Sequence, residues 1–148
     1  MQQTHPSWSA AQIQTKAKAE FEAAGTAMFV AALKHASAMR PKALWGFYGM
    51  PGGSFQPTPA NKARALADAK KMLPVWQASG ALFPSIYMSE VPTTEAERQF
   101  RVNATTEIGV ATAVMVAGGA GKPRIPVYPF AWECCKGMPC SQSIAIAD

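Results

Sequence analysis

Three tyrosines, Tyr48, Tyr87 and Tyr128, fall in or at the ends of three short apolar runs of this 148-residue chain. A phenol at the end of a strand can pack its ring on the body of a protein and hold its hydroxyl out to a ligand. Trp132 follows the third run and adds a second kind of flat, half-polar surface. Glu90 and Glu133 come just after the second and third runs, where loops reach the rim of an α/β fold. A glutamate there can protonate a leaving group when its surroundings raise its pKa and a partner lies within reach. Each residue also has a plainer reading. Tyr48, beside Gly49, fits packing as well as ligand contact, because aromatic residues are common in strands for packing alone. A solvated loop side chain is the alternative for both glutamates.

Other reactive side chains offer less. Cys134, Cys135 and Cys140 lie within seven residues of one another, and neither histidine, His5 nor His35, is near them. Two adjacent cysteines seldom serve one tetrahedral zinc, so the spacing argues against a metal site. No residue set points to a cofactor. Gly118-Gly119-Ala120-Gly121 follows a helical stretch and precedes an extended one, which is the wrong context for a phosphate-binding loop.

The elements that would hold these residues alternate in type. Ser9 with Gln12 forms a capping box, and Ile13, Phe21, Met28 and His35 recur at helical spacing, which predicts a helix over 9–39. Arg40-Pro41 ends it, since the residue before proline leaves the helical region. The run 44–49 reads as a buried strand, bounded by Pro41 and Pro51. Thr58-Pro59 opens a second helix that continues to Met72, with Pro74 ending or kinking it. The second strand is 82–88. Thr94 and Glu97 cap a third helix reaching about Ala117, and 124–132 is the third strand, weakened by Pro126 and Pro129. Strands alternating with helices argue for a parallel sheet. Two closures fit: a small open sheet, or part of a βα barrel, which needs about 250 residues when whole.

Composition sets the outer bounds. Hydrophobic residues make up 49% and charged residues 16%, as expected of one globular domain. No apolar run is long enough to cross a membrane, and the first residues lack the pattern of a secretory signal. The net charge of +5 is spread out, with Lys70-Lys71 the one adjacent basic pair. Nothing in it calls for nucleic acid; it fits a solvated surface or a mild preference for polyanions. Asn103-Ala104-Thr105 matches a glycosylation sequon inside the expected third helix, and has meaning only in an exported chain.

Two of the apolar runs carry a specific signature. Arg40-Pro41-Lys42-Ala43-Leu44-Trp45-Gly46-Phe47-Tyr48-Gly49-Met50-Pro51 and Ala81-Leu82-Phe83-Pro84-Ser85-Ile86-Tyr87 stand in order with a helix between them. Both resemble consecutive strands of the hyaluronidase family of glycoside hydrolases. His5-Pro6-Ser7-Trp8, Glu20-Phe21-Glu22, Met28-Phe29, Leu33-Lys34, Arg101-Val102 and Ile125-Pro126-Val127-Tyr128 extend the resemblance from about residue 5 to 132. The residues from 133 to 148 are an unassigned tail.

The resemblance implies one incomplete domain over 1–148. It would be an α/β fold, a partial TIM-like barrel of about three strands and three helices. It implies endo-hydrolysis of β-1,4 bonds in hyaluronan or chondroitin by a retaining mechanism, in which the substrate's acetamido oxygen attacks the anomeric carbon. Tyr87 takes the part of the tyrosine that positions the acetamido group, and Tyr48, Tyr128 and Trp132 that of sugar-facing aromatics. A polysaccharide is the implied partner, and secretion or lysosomal residence is expected of a full-length member. The family's Asp-x-Glu segment should precede His5 and is absent from this sequence, as are the later glycine-rich and Trp-Gly strand and the cysteines expected near Gly52-Gly53-Ser54-Phe55. The chain alone is therefore expected to be weak or inactive, with Glu90 and Glu133 as possible substitute acids. Open barrel edges would also favour self-association. A non-catalytic glycan-binding homologue and a small α/β domain for an anionic metabolite are the competing readings.

Overall fold

The structure, a computed structural model, describes residues 7–52, 58–87, 94–119, 121 and 123–131. Within them the chain forms four helices and three extended segments. Helix α1 spans Ala10–Met39. Its start is the expected capping box: the Gln12 amide donates to Ser9 Oγ at 3.3 Å, and the Ser9 amide donates to the Gln12 side chain at 2.8 Å. Its end is Arg40, extended at φ −139°, as the following proline requires. At 1.5 Å per residue α1 is roughly 45 Å long. Leu33 near its C-terminal end is buried, with Phe29 and Val30 packed beside it, whereas most of 10–24 is exposed.

The second helical stretch divides where one helix was expected. Helix α2 covers Pro59–Lys71, with Thr58 Oγ1 accepting the Asn61 amide at 3.2 Å. Met72 is the joint, and α3 follows as Leu73–Ala78. Pro74 is the cause. It has no amide hydrogen to give α2 another turn, but its fixed φ suits the first turn of a new helix. The Trp76 indole donates to the Ala69 carbonyl at 2.8 Å and ties α3 back onto α2. Helix α4 spans Glu95–Val116 behind the Thr94/Glu97 capping box. It places Asn103 exposed and Thr105 buried.

The three extended segments, 45–50, 81–87 and 125–131, lie side by side with 81–87 in the middle. Parallel bridges join Tyr48 to Phe83, Leu82 to Val127 and Ser85 to Phe130. The continuous strands expected at 44–49, 82–88 and 124–132 are not formed among the described residues; the pairing is by isolated bridges. Proline explains the gap. Leu82 and Ile86 donate to the carbonyls of Pro126 and Phe130, both at 2.9 Å. Pro84, midway between them, has no donor for the rung that would join the two bridges. Its own carbonyl still accepts from Phe130 at 2.8 Å, and Leu82 accepts from Tyr128 at 2.8 Å, so the register holds across the gap. On the other side, Gly49 turns with φ +78° and Met50 folds back to make an antiparallel bridge with Phe83.

Alternation along these segments separates two faces. Trp45, Phe47, Leu82, Ile125 and Val127 point to the helices and share a core with Leu33, Val75, Trp76 and Ala113. There α1 packs on α3, and α4 on both α2 and α3. Two glycines permit the close approach. A Cβ at Gly46 would sit 2.2 Å from the Ala81 carbonyl oxygen, and one at Gly109 of α4 would sit 2.9 Å from a Val127 methyl. The opposite face has no helix on it among the described residues, and it carries the tyrosines.

Candidate functional site

The residues facing away from the helices are Tyr48 on the first segment, Phe83, Ser85 and Tyr87 on the second, and Tyr128 and Phe130 on the third. Their rings form one continuous sheet of contacts. The Tyr48 ring lies 5.3 Å from Phe130, edge to face at 87°, and 5.8 Å from Tyr87. Phe83 stacks on Tyr128 at 6.1 Å and meets Phe130 at 5.9 Å. Tyr48, Tyr128 and Phe130 stay 56%, 50% and 42% exposed, an unusual amount of bare aromatic surface for residues of a sheet-like layer.

The three hydroxyls at the end of this face are grouped. The Tyr48 and Ser85 hydroxyls lie 3.3 Å apart. Ser85 Oγ also accepts the Tyr87 backbone amide at 3.4 Å, which holds the last residue of the segment in a tight local turn. Loss of water contact raises the Tyr87 phenol above its ordinary pKa, and the Tyr48 hydroxyl beside it adds to the rise. The group therefore keeps its proton at any pH near neutral and is a hydrogen-bond donor there.

Carboxylates are placed elsewhere. Glu20, Glu22, Asp68, Glu95, Glu97 and Glu107, the six described ones, all sit on helices. Five of them form ion pairs: Lys16–Glu20, Lys18–Glu22, Lys62–Glu107, Lys71–Asp68 and Arg98–Glu95. Glu97 belongs to the α4 cap. The Asp68 carboxyl lies below its usual range because Lys71 donates to it, and Lys71 is raised in turn. No group of three potential metal ligands occurs among the described residues. No described helix is long and apolar enough to cross a membrane.

Of the residues singled out from sequence, Tyr48, Tyr87 and Tyr128 are brought onto one face. Glu90, Trp132, Glu133 and the three cysteines lie outside the described residues. Phe83, Ser85 and Phe130 belong to the same face and were not singled out. The signal for them was the two-residue step from Tyr128 to Phe130 and along Phe83, Ser85 and Tyr87. Pro129 hid it, yet the ladder donors here are Tyr128 and Phe130, so a proline between them removes nothing.

Hyaluronidase-1 of Homo sapiens is 35% identical over 138 residues, covering 88% of this chain and 30% of its own length. The hyaluronidase of Apis mellifera is 30% identical over 132 residues, covering 86% and 33%. The chain thus spans about a third of the curated relatives it matches. The crystal structure of bee venom hyaluronidase in complex with a hyaluronic acid tetramer superposes with a TM-score of 0.78 at 25% identity, over 97% of this chain and 44% of that one. The family model described as Hyaluronidase matches residues 1–136, and the chain belongs to that family.

Proposed function

We propose that this chain forms the tyrosine-bearing wall of a glycosidase cleft that takes hyaluronan or a chondroitin-type chain. Its three extended segments would be neighbouring strands of a partial (β/α) barrel, with α1 to α4 outside and the aromatic face inside, in one domain over 1–148. The observation that carries the reading is that face: three tyrosines, two phenylalanines and a serine, contiguous and toward the carboxyl ends of parallel segments, with Tyr48, Tyr128 and Phe130 exposed and the rest half-buried. Active sites of βα barrels gather at such ends. The solved relative holding a hyaluronic acid tetramer supports the substrate class.

The chemistry would be cleavage of a β-1,4 N-acetylhexosaminide bond with help from the substrate's acetamido group. The protonated Tyr87 phenol donates to that group and fixes it for attack on the anomeric carbon. Tyr48 and Tyr128 offer rings for the pyranose faces, and Trp132, outside the described residues, would be a further sugar contact. The leaving oxygen needs an acid. The described carboxylates, on the helices, are on the wrong side to supply it. If Glu90 and Glu133 do not supply it either, the 148-residue chain by itself is weak or inactive while still able to hold the polymer. Family membership would place the complete enzyme outside the cell or in the lysosome.

Hyaluronan depolymerisation from acidic to neutral pH, with Tyr87→Phe in parallel, tests this. Activity that falls at least tenfold in the variant assigns the acid to Glu90 or Glu133 and supports the glycosidase. Hyaluronan binding without cleavage supports a cleft wall that lacks its acid, and a non-catalytic glycan-binding role for this chain. Neither binding nor cleavage contradicts the proposal.

A further inference from the structure

We infer that Tyr48 is a positioning residue for Tyr87, acting through Ser85 and through direct apposition of the two phenols. The inference rests on reading Tyr87 as the phenol that meets the substrate, and it gives the Tyr48 hydroxyl a task of its own beside the ring contact proposed above.

The geometry has three parts. The Tyr48 ring is set edge-on against Phe130 at 5.3 Å and 87°, so a residue of the third segment limits its orientation from one side. Its hydroxyl, 3.3 Å from Ser85 Oγ, reaches across to the middle segment. Ser85 Oγ in turn accepts the Tyr87 amide at 3.4 Å. A hydroxyl that accepts one hydrogen bond still has a proton to give and a second lone pair, so Ser85 can serve both partners at once. The Tyr87 ring then lies 5.8 Å from that of Tyr48. The chain of contacts runs from the third segment through the first to the last residue of the second. The Tyr87 side chain is thereby linked to all three segments. The raised pKa of Tyr87, due first to lost water contact and then to Tyr48, agrees with this proximity.

Packing alone would need only the ring of Tyr48; the positioning role needs its oxygen. Tyr48→Phe separates the two, because it keeps the ring against Phe130 and removes the hydroxyl. The measurement is a pH titration of the Tyr87 13Cζ resonance in the 148-residue protein labelled at tyrosine, with Tyr87→Phe to assign the signal and circular dichroism to confirm that each variant stays folded. The wild-type phenol should titrate above the ordinary tyrosine value, and Tyr48→Phe should bring its midpoint down. Ser85→Ala should shift the Tyr87 ring resonances at neutral pH, and Ser85→Thr, which retains a hydroxyl, should restore them. An unchanged Tyr87 midpoint in a folded Tyr48→Phe variant overturns the inference, as does a Ser85→Thr spectrum that matches Ser85→Ala. If Tyr48→Leu alone disturbs Tyr87, Tyr48 is packing and the inference also fails. None of these readings needs hyaluronan. A protein that passes them but binds no polymer would keep the Tyr48 inference and lose the proposed function.

Discussion

At Pro84 the middle segment lacks a backbone donor between two good hydrogen bonds, and the pairing survives as bridges. The same residue is buried and stands between Phe83 and Ser85, whose side chains face away from the helices. Leu82, next to it on the other face, is 1% exposed and packs in the helix-side core. Leu82→Ala should lower unfolding stability by about 2–5 kcal/mol, measured by urea denaturation; a change below ~1 kcal/mol would mean that the core closes differently. Tyr87 makes a pH prediction. Its folded pKa is raised, so the fold binds that proton more tightly than the unfolded chain does. The contribution is fully present below the ordinary tyrosine pKa, about 10, and is lost as pH rises through the folded value. Denaturation midpoints taken on both sides of that window, in wild type and in Tyr87→Phe, check this: the wild type should lose stability more steeply with pH than the variant. At this scale the sequence was readable where a side chain had its own signature. Tyr48, Tyr87 and Tyr128 could be singled out as strand-end phenols, with the family resemblance needed to favour a ligand over packing for Tyr87. Phe83 and Phe130 could not, because a phenylalanine carries no polar group to distinguish a cleft from a core, and Ser85 acts through contacts that only folding creates.

The helices show which local rules decide a boundary. Ser9/Gln12, Thr58 and Thr94/Glu97 all cap as their spacing predicts, because an N-cap satisfies amides that nothing else in the helix can reach. Thr94→Ala should cost about 1 kcal/mol of stability in thermal or urea unfolding, and Thr94→Ser should restore most of it. The division at Met72 was less legible, since Pro74 can end a helix or begin one and only the Trp76 indole bond to Ala69 settles which. Helix α1 raises a different point. Its capping and alanine content favour helix, but apart from 29–33 and a few flanking residues it buries little. Its surface pairs, Lys16–Glu20 and Lys18–Glu22, run in the weaker Lys-to-Glu order and add only a few tenths of a kcal/mol each. Amide hydrogen exchange should therefore be faster over 10–24 than over 28–39. Equal protection along the helix would show that the first half is covered by another molecule.

Across the described residues, the layer of extended segments is packed on its helix side. The helix side has a core that links Leu33, Val75, Trp76, Leu82 and Ala113. The other side leaves Tyr48, Tyr128 and Phe130 exposed. A surface of that kind favours contact with more protein. Sedimentation velocity of the isolated 148-residue chain should show association that grows with concentration; a monomer with a sharp, cooperative thermal transition would argue that the open face is tolerated. The order of helical and extended runs was legible from their alternation; which side chains share a face was not. Strand continuity was not, because the prolines that interrupt the ladder leave its register intact. The proposed function requires the aromatic face to bind hyaluronan. The most direct test is to titrate a hyaluronan oligosaccharide into tyrosine- and phenylalanine-labelled protein and follow the ring resonances. Binding at this face should shift Tyr48, Tyr87, Tyr128, Phe83 and Phe130, and leave Phe29 and Phe47 on the helix side unmoved. Shifts confined to the helix side, or none at saturating oligosaccharide, would contradict it.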